Sequence, residues 1–146
     1  MTVSKKGRYW YGTDDWDIQA EVVRFSRLNE YEAVKFHVAS CACGGTTFKL
    51  ESDEDAGVAK RRCAGCGATR LMGDSAGYAA RAKFDNHSCV CDAEDFAITS
   101  GVALYTASND VRWCYIGCRC RNCSLVGVFA NWKCEGGDAD AFLAET

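Results

Sequence analysis

Cysteine is the residue whose number and spacing could do chemistry in this chain. Eleven are spread over 146 positions, and eight of them form close doublets: "CAC" at Cys41 and Cys43, "CAGC" at Cys63 and Cys66, "CVC" at Cys89 and Cys91, and "CRNC" at Cys120 and Cys123. A short C-x-C or C-x-x-C turn directs two thiolates towards one point. Two such turns at the ends of a hairpin complete the tetrahedron of soft ligands, about 2.3 Å from the metal, that zinc favours. A site of four cysteines is closed to water and substrate, so zinc held this way stabilises rather than catalyses. Its apparent binding free energy, about 10–16 kcal/mol, matches or exceeds the stability of a whole domain. Tetrahedral sulfur also suits iron, which colour would reveal.

The location of the chain bears on whether these thiols hold metal or disulfides. The segment "MTVSKKGRYWYG" is charged and aromatic, without the apolar core of a secretory signal, and no stretch approaches the ~18 apolar residues of a membrane span. We therefore expect a cytoplasmic protein with no membrane association, in a compartment where thiols are kept reduced and a dense cysteine set serves metal. A disulfide scaffold is the alternative, although an odd count leaves at least one thiol unpaired.

The doublets alternate in type, and the order C-x-C then C-x-x-C occurs twice. Phe36 and Phe84 each lie five residues before the first cysteine of a copy, Phe48 and Phe96 five after the second, and Leu50 and Ile98 seven after it. Arg62 and Arg119 immediately precede the two C-x-x-C doublets, which sets the register of the second copy. The second copy is longer between its doublets, a difference that a longer hairpin absorbs at small entropic cost. Shared β-alternation without common ancestry would leave the same few matches.

The elements that must position these doublets read as strands. "EAVKFHVAS" alternates Val34, Phe36 and Val38 against Lys35 and His37. "TTFKLE" and "VAKRR" flank the turn "SDEDAG", "FAITSGVALYT" and "VRWCYIG" flank "ASND", and "SLVGVFANWK" places Val126, Val128, Ala130 and Trp132 on one face. Short helices are expected in "DSAGYAARAKF" and "DADAFLAE". Gly44 and Gly67 suit knuckles that turn back with positive φ and free amides to point at sulfur. Ser124 stands in the corresponding place after "CRNC".

In "CACGGTTFKL...RRCAGCG" and "CVCDAEDFAI...CRCRNCS" the chain resembles the zinc-ribbon family, in tandem over about residues 41 to 134. The resemblance implies a small, mainly β protein of two β-hairpin lobes, each holding one zinc ion. It assigns Cys41, Cys43, Cys63 and Cys66 to one site and Cys89, Cys91, Cys120 and Cys123 to the other. In overall pattern the chain is also similar to uncharacterised bacterial proteins with paired zinc ribbons, a likeness that carries no activity with it. The expected organisation is an N-terminal β segment over 1–40 packing on the first ribbon, ribbons over 41–73 and 89–134, a linker over 74–88 and a tail over 135–146.

Within "WCYIGCRCRNC" the repeat selects Cys120 and Cys123 as ligands and leaves Cys114 and Cys118 on a strand face with Ile116. Cys118 also makes a C-x-C with Cys120, so exchange between them is the rival register. His87, beside Cys89, is a minor alternative ligand.

Function is less legible. Arg61, Arg62, Arg70, Arg119, Arg121 and Lys60 supply basic groups beside the knuckles, as a nucleic-acid-binding ribbon would need. The formal net charge is −3, however, and eight thiolates with two zinc ions take it to about −7, which opposes a phosphate backbone. These arginines then serve to offset the sulfur charge. No catalytic constellation is evident with only His37 and His87 present, and Cys114, Cys118 and Cys134 leave thiol-redox chemistry as a lesser possibility. The aromatic and acidic "YWYGTDDWD", with Tyr9, Trp10, Tyr11 and Trp16, suits a protein partner or simply covers the first ribbon. The expectation is a non-enzymatic binding or scaffold protein, with a nucleic-acid-binding regulator as the alternative.

Overall fold

The computed structural model describes residues 3–146, so the first two residues of the N-terminal segment lie outside the described range. In chain order the elements are β1 (Ser4–Lys6), β2 (Tyr9–Tyr11), α1 (Asp15–Leu28), β3 (Lys35–Val38), β4 (Phe48–Asp53), β5 (Val58–Cys63), β6 (Thr69–Leu71), β7 (Asp85–Asn86), β8 (Phe96–Leu104), β9 (Val111–Cys120), β10 (Leu125–Lys133) and α2 (Ala139–Ala144). All ten strands join one antiparallel sheet, with the path β1-β2-β10-β9-β8-β4-β5-β6 and with β3 on β8 and β7 on β4. The fold is small and mainly β. The expected short helix in "DSAGYAARAKF" is two 3₁₀ turns, Ser75–Gly77 and Ala79–Arg81.

The two copies of the repeat meet at their own equivalent residue. Phe48 of β4 pairs with Phe96 of β8, and each also faces the first cysteine of its C-x-x-C doublet, Cys63 and Cys120. Around that point the leading strands are exchanged: β3 of the first copy pairs with β8 of the second, while β7 of the second pairs with β4 of the first. The pairs Val38 with Thr99 and Asn86 with Glu51 are the same repeat positions with the copies swapped. The hydrogen bonds from Ala39 N to Ile98 O and from His87 N to Leu50 O, both 2.9 Å, repeat the exchange. The sheet therefore has a local pseudo-two-fold, and the copies are interlocked.

The main core follows from this interlock. Phe48, Leu50, Ala59 and Met72 from the first copy share one buried cluster with Phe96, Ile98, Ile116, Cys114 and Cys118 from the second, closed by Phe142 and Leu143 of α2. Asp138 caps α2 by accepting from Ala141 N at 3.0 Å.

The N-terminal segment departs from expectation. In place of a β segment on the first ribbon, it forms a two-strand hairpin and a 14-residue helix, and both pack on the second copy. Asp14 and Asp17 form a capping box at the helix start. Ile18, Val22 and Phe25, spaced for one helix face, then turn towards β8–β10. The helix can come close because β8 and β9 present glycines beneath it. A Cβ on Gly117 would lie 2.5 Å from Val22 Cγ2, and one on Gly101 would lie 2.8 Å from Val22 Cγ1.

A register shift between Val128 and Ala130 corrects the reading of β10. A bulge adds one residue to a strand and so breaks the period of two. Val126 and Val128 face α1, whereas Ala130 and Trp132 join the main core on the other side.

Candidate metal centres

Each doublet sits where a strand ends and the chain must turn. Cys63 and Cys120 are the last residues of β5 and β9, which fixes their side chains on the core face. The turn that follows is closed by Gly67 N donating to Cys63 O at 2.9 Å and by Ser124 N donating to Cys120 O at 3.0 Å. The C-x-C turns are closed in the same matched way. Cys41 N donates to Gly45 O at 2.8 Å and Cys89 N to Ala93 O at 2.7 Å, while Gly44 N and Asp92 N donate back to Cys41 O and Cys89 O at 2.8 Å.

These knuckles require a left-handed residue. Gly44 and Gly67 supply it in the first copy with φ of +87° and +77°; Asp92 and Ser124 adopt +72° and +70° in the second. The second copy thus keeps the backbone geometry without the residue that makes it easy, at a local strain of order 1–3 kcal/mol per position.

The turns bring two groups of four sulfurs together, Cys41, Cys43, Cys63 and Cys66 in one and Cys89, Cys91, Cys120 and Cys123 in the other, with every sulfur within 4.8 Å of the rest of its group. Sγ of Cys41 lies 3.5 Å from that of Cys66, and Cys43 lies 3.6 Å from Cys63. The second group repeats both spacings, 3.5 Å between Cys89 and Cys123 and 3.6 Å between Cys91 and Cys120. Four ligands about 2.3 Å from a tetrahedral centre stand roughly 3.8 Å apart, so the donor set fits a metal ion with little movement.

Polar hydrogens point at the sulfurs, as thiolates need. The amides of Asn122 and Cys123 approach Cys120 Sγ at 3.4 and 3.5 Å, and Asn122 Nδ2 donates to Cys91 Sγ at 3.4 Å. Hydrogen bonding from Asn122, then from the Ala93 amide, lowers the Cys91 thiol to about 6. The amide of Cys66, outweighing burial, lowers Cys63 to about 6 as well. Each group therefore holds one thiol that ionises readily at neutral pH, the state in which it can ligate.

The remaining cysteines lie elsewhere. Cys114 and Cys118 are buried on the core face of β9, with Cys118 opposite Ile98 and Cys114 between Val102 and Trp132. Burial pushes both thiols well up and raises Cys134 to about 12, so all three stay protonated and poorly nucleophilic at neutral pH. His87 stands outside the second sulfur group, with Nε2 and Ser52 Oγ 2.6 Å apart, and His37 Nδ1 lies 3.0 Å from Thr146 Oγ1. Burial lowers the pKa of both rings, which favours neutral imidazole.

Of the basic residues, Arg61 is the buried one. Its Nε donates to Thr146 O at 2.8 Å, its Nη2 donates to Ser40 O at 3.3 Å beside the first sulfur group, and its guanidinium stacks over Phe48 at 4.4 Å. Arg121 links the two centres by donating from the second knuckle to Thr46 O and Oγ1, both at 3.0 Å.

Helix α1, missed in the sequence reading, had a signal: Asp14 and Asp17 ahead of the 3.6-period set Ile18, Val22 and Phe25.

No protein-family model, curated protein or solved structure matches the chain. Among the described residues no helix is long and apolar enough to cross a membrane.

Proposed function

We propose that the protein is a zinc-stabilised binding module of the cytoplasm, in which two zinc ions lock the interlocked sheet and a protein partner is recognised on the surface. The observation that carries this reading is the pair of closed, four-thiol groups at strand ends, which leave no coordination position for a reacting molecule. Each zinc would be held by its four cysteines and would supply folding free energy rather than catalysis. Elemental analysis of reduced, freshly purified protein should give two zinc ions per chain, and a strong chelator should abolish cooperative unfolding. One metal or none would overturn the reading, and a coloured preparation would point to iron instead.

One observation favours a nucleic-acid-binding regulator as a second reading. Around the N-terminal hairpin, Lys5 lies over Trp10 at 5.7 Å, Lys6 over Tyr11 at 5.5 Å, Arg8 over Tyr9 at 5.9 Å and Arg24 over Trp10 at 5.4 Å. Interleaved cations and rings suit stacked, unpaired bases. Retention of single-stranded oligonucleotides with a steep salt slope would promote this reading over the first.

A further inference from the structure

The two sulfur groups share one geometry but not one cover. The close contacts of Cys43 with Cys63, Cys89 with Cys123 and Cys91 with Cys120 each include a buried cysteine, with Cys63, Cys89 and Cys120 only 1%, 4% and 0% exposed. Cys41 with Cys66, 3.5 Å apart, is the close pair in which neither partner is buried: Cys66 is exposed and Cys41 half-buried. A hollow of about 400 Å³, with Ser40, Ala42 and Ala68 in its wall, also opens on Cys41.

The difference comes from the N-terminal hairpin. By the repeat, Cys89 with Cys123 is the counterpart of Cys41 with Cys66, yet β2 lies along the second knuckle alone. Gly12 N donates to Ser124 O at 2.9 Å, Tyr11 pairs with Leu125, and Tyr11 packs, like Phe129, against the cluster that holds Cys89 and Cys120. Asn122 adds its side-chain hydrogen bond to Cys91 Sγ, whereas Gly65, at the equivalent position between Cys63 and Cys66, has no side chain to offer. Oxidation of a thiolate follows its exposure and the presence of a second thiol within reach, and donated hydrogen bonds temper it.

We propose that Cys41 and Cys66 are an oxidant-sensitive pair, which hydrogen peroxide joins in a disulfide while the second group stays reduced. The proposal rests on the metal reading above. The Cys66 thiolate attacks one peroxide oxygen; an S–O bond forms, the O–O bond breaks, and the departing hydroxide takes a proton from solvent to give water. The Cys41 thiolate then attacks the Cys66 sulfur; the S–S bond forms, the S–O bond breaks, and a second hydroxide is protonated to water. Two thiolates have given up two electrons, and the peroxide has accepted them. The first group keeps two of its four ligands, too few to retain its ion, so one of the two ions leaves.

The test exposes the full, reduced, zinc-loaded chain to hydrogen peroxide beside a chromophoric zinc chelator, against a peroxide-free control, and maps the cysteines by differential alkylation and peptide mass spectrometry. We expect one ion to be released about tenfold or more faster than the other, with a disulfide joining Cys41 to Cys66, and a dithiol with added zinc to restore the starting state. Tyr11→Ala, which uncovers the second group, and Asn122→Gly, which copies Gly65, should each speed loss of the second ion severalfold and leave the first rate unchanged. Release of both ions at one rate, earlier loss from the second group, no peroxide-dependent release, or a disulfide joining other cysteines would each overturn the proposal. Fewer than two zinc ions before peroxide is added would instead overturn the metal reading, and this proposal with it.

Discussion

Substituting Gly117 by alanine tests the placement of α1 directly. The added Cβ would lie 2.5 Å from Val22 Cγ2, 2.8 Å from Ile18 Cγ2 and 2.9 Å from Thr99 O. Comfortable carbon contacts begin near 3.5 Å, so the helix must lift by about 1 Å, and the backbone carbonyl cannot yield. Overpacking of this kind costs about 1–3 kcal/mol, offset by about 0.4–1 kcal/mol because alanine restricts the unfolded chain. The net loss is then about 1–2 kcal/mol, a fall in Tm of about 3–8 °C for a chain of this length. Denaturant and thermal unfolding of the metal-loaded protein measure it, with Gly77→Ala as the control because nothing lies within 4 Å of that Cβ. Val22→Ala removes the closest clash, so the double variant should be more stable than the sum of the single losses by about 0.5 kcal/mol or more. If Gly117→Ala proves as stable as Gly77→Ala, the helix does not rest on this glycine and the account of the N-terminal segment is wrong.

Three further outcomes follow from the sulfur groups and the interlock. Cys120→Ser should lower the metal content from two ions to one, whereas Cys118→Ser should keep both and lose only the modest stability of a changed core contact; elemental analysis of the two variants decides, and the reverse pattern would refute the register. A fragment holding only residues 41–73 should not fold with zinc, because β7 and half of its core come from the other copy, and a dispersed amide spectrum from that fragment would contradict the exchange. Arg121→Ala should leave both metal ions in place and reduce stability by about 1 kcal/mol or less, read by denaturant midpoint, since its bonds to Thr46 are exposed.

What this sequence determined by itself is local. The spacing within each cysteine doublet settles the knuckle turns, because a few covalent bonds decide where two neighbouring thiols can point. The repeat of Phe48 with Phe96 and of Leu50 with Ile98 was likewise readable, since equivalent residues face equivalent surroundings. The alternation along β9 placed Cys114, Ile116 and Cys118 on one face, and they lie there in the core. Tertiary structure decided the rest. Val34, Phe36 and Val38 do share a face, yet Val34 and Val38 remain exposed while Phe36 packs beside Val22, because which hairpin β3 joins is a choice among distant strands that its own alternation cannot express. The same holds for Trp132, which a single bulge moved from the helix side to the core. Helix α1 was encoded locally by its cap and apolar period, but its seat on Gly101 and Gly117 exists only once β8 and β9 have paired, bringing two glycines from distant positions under one valine.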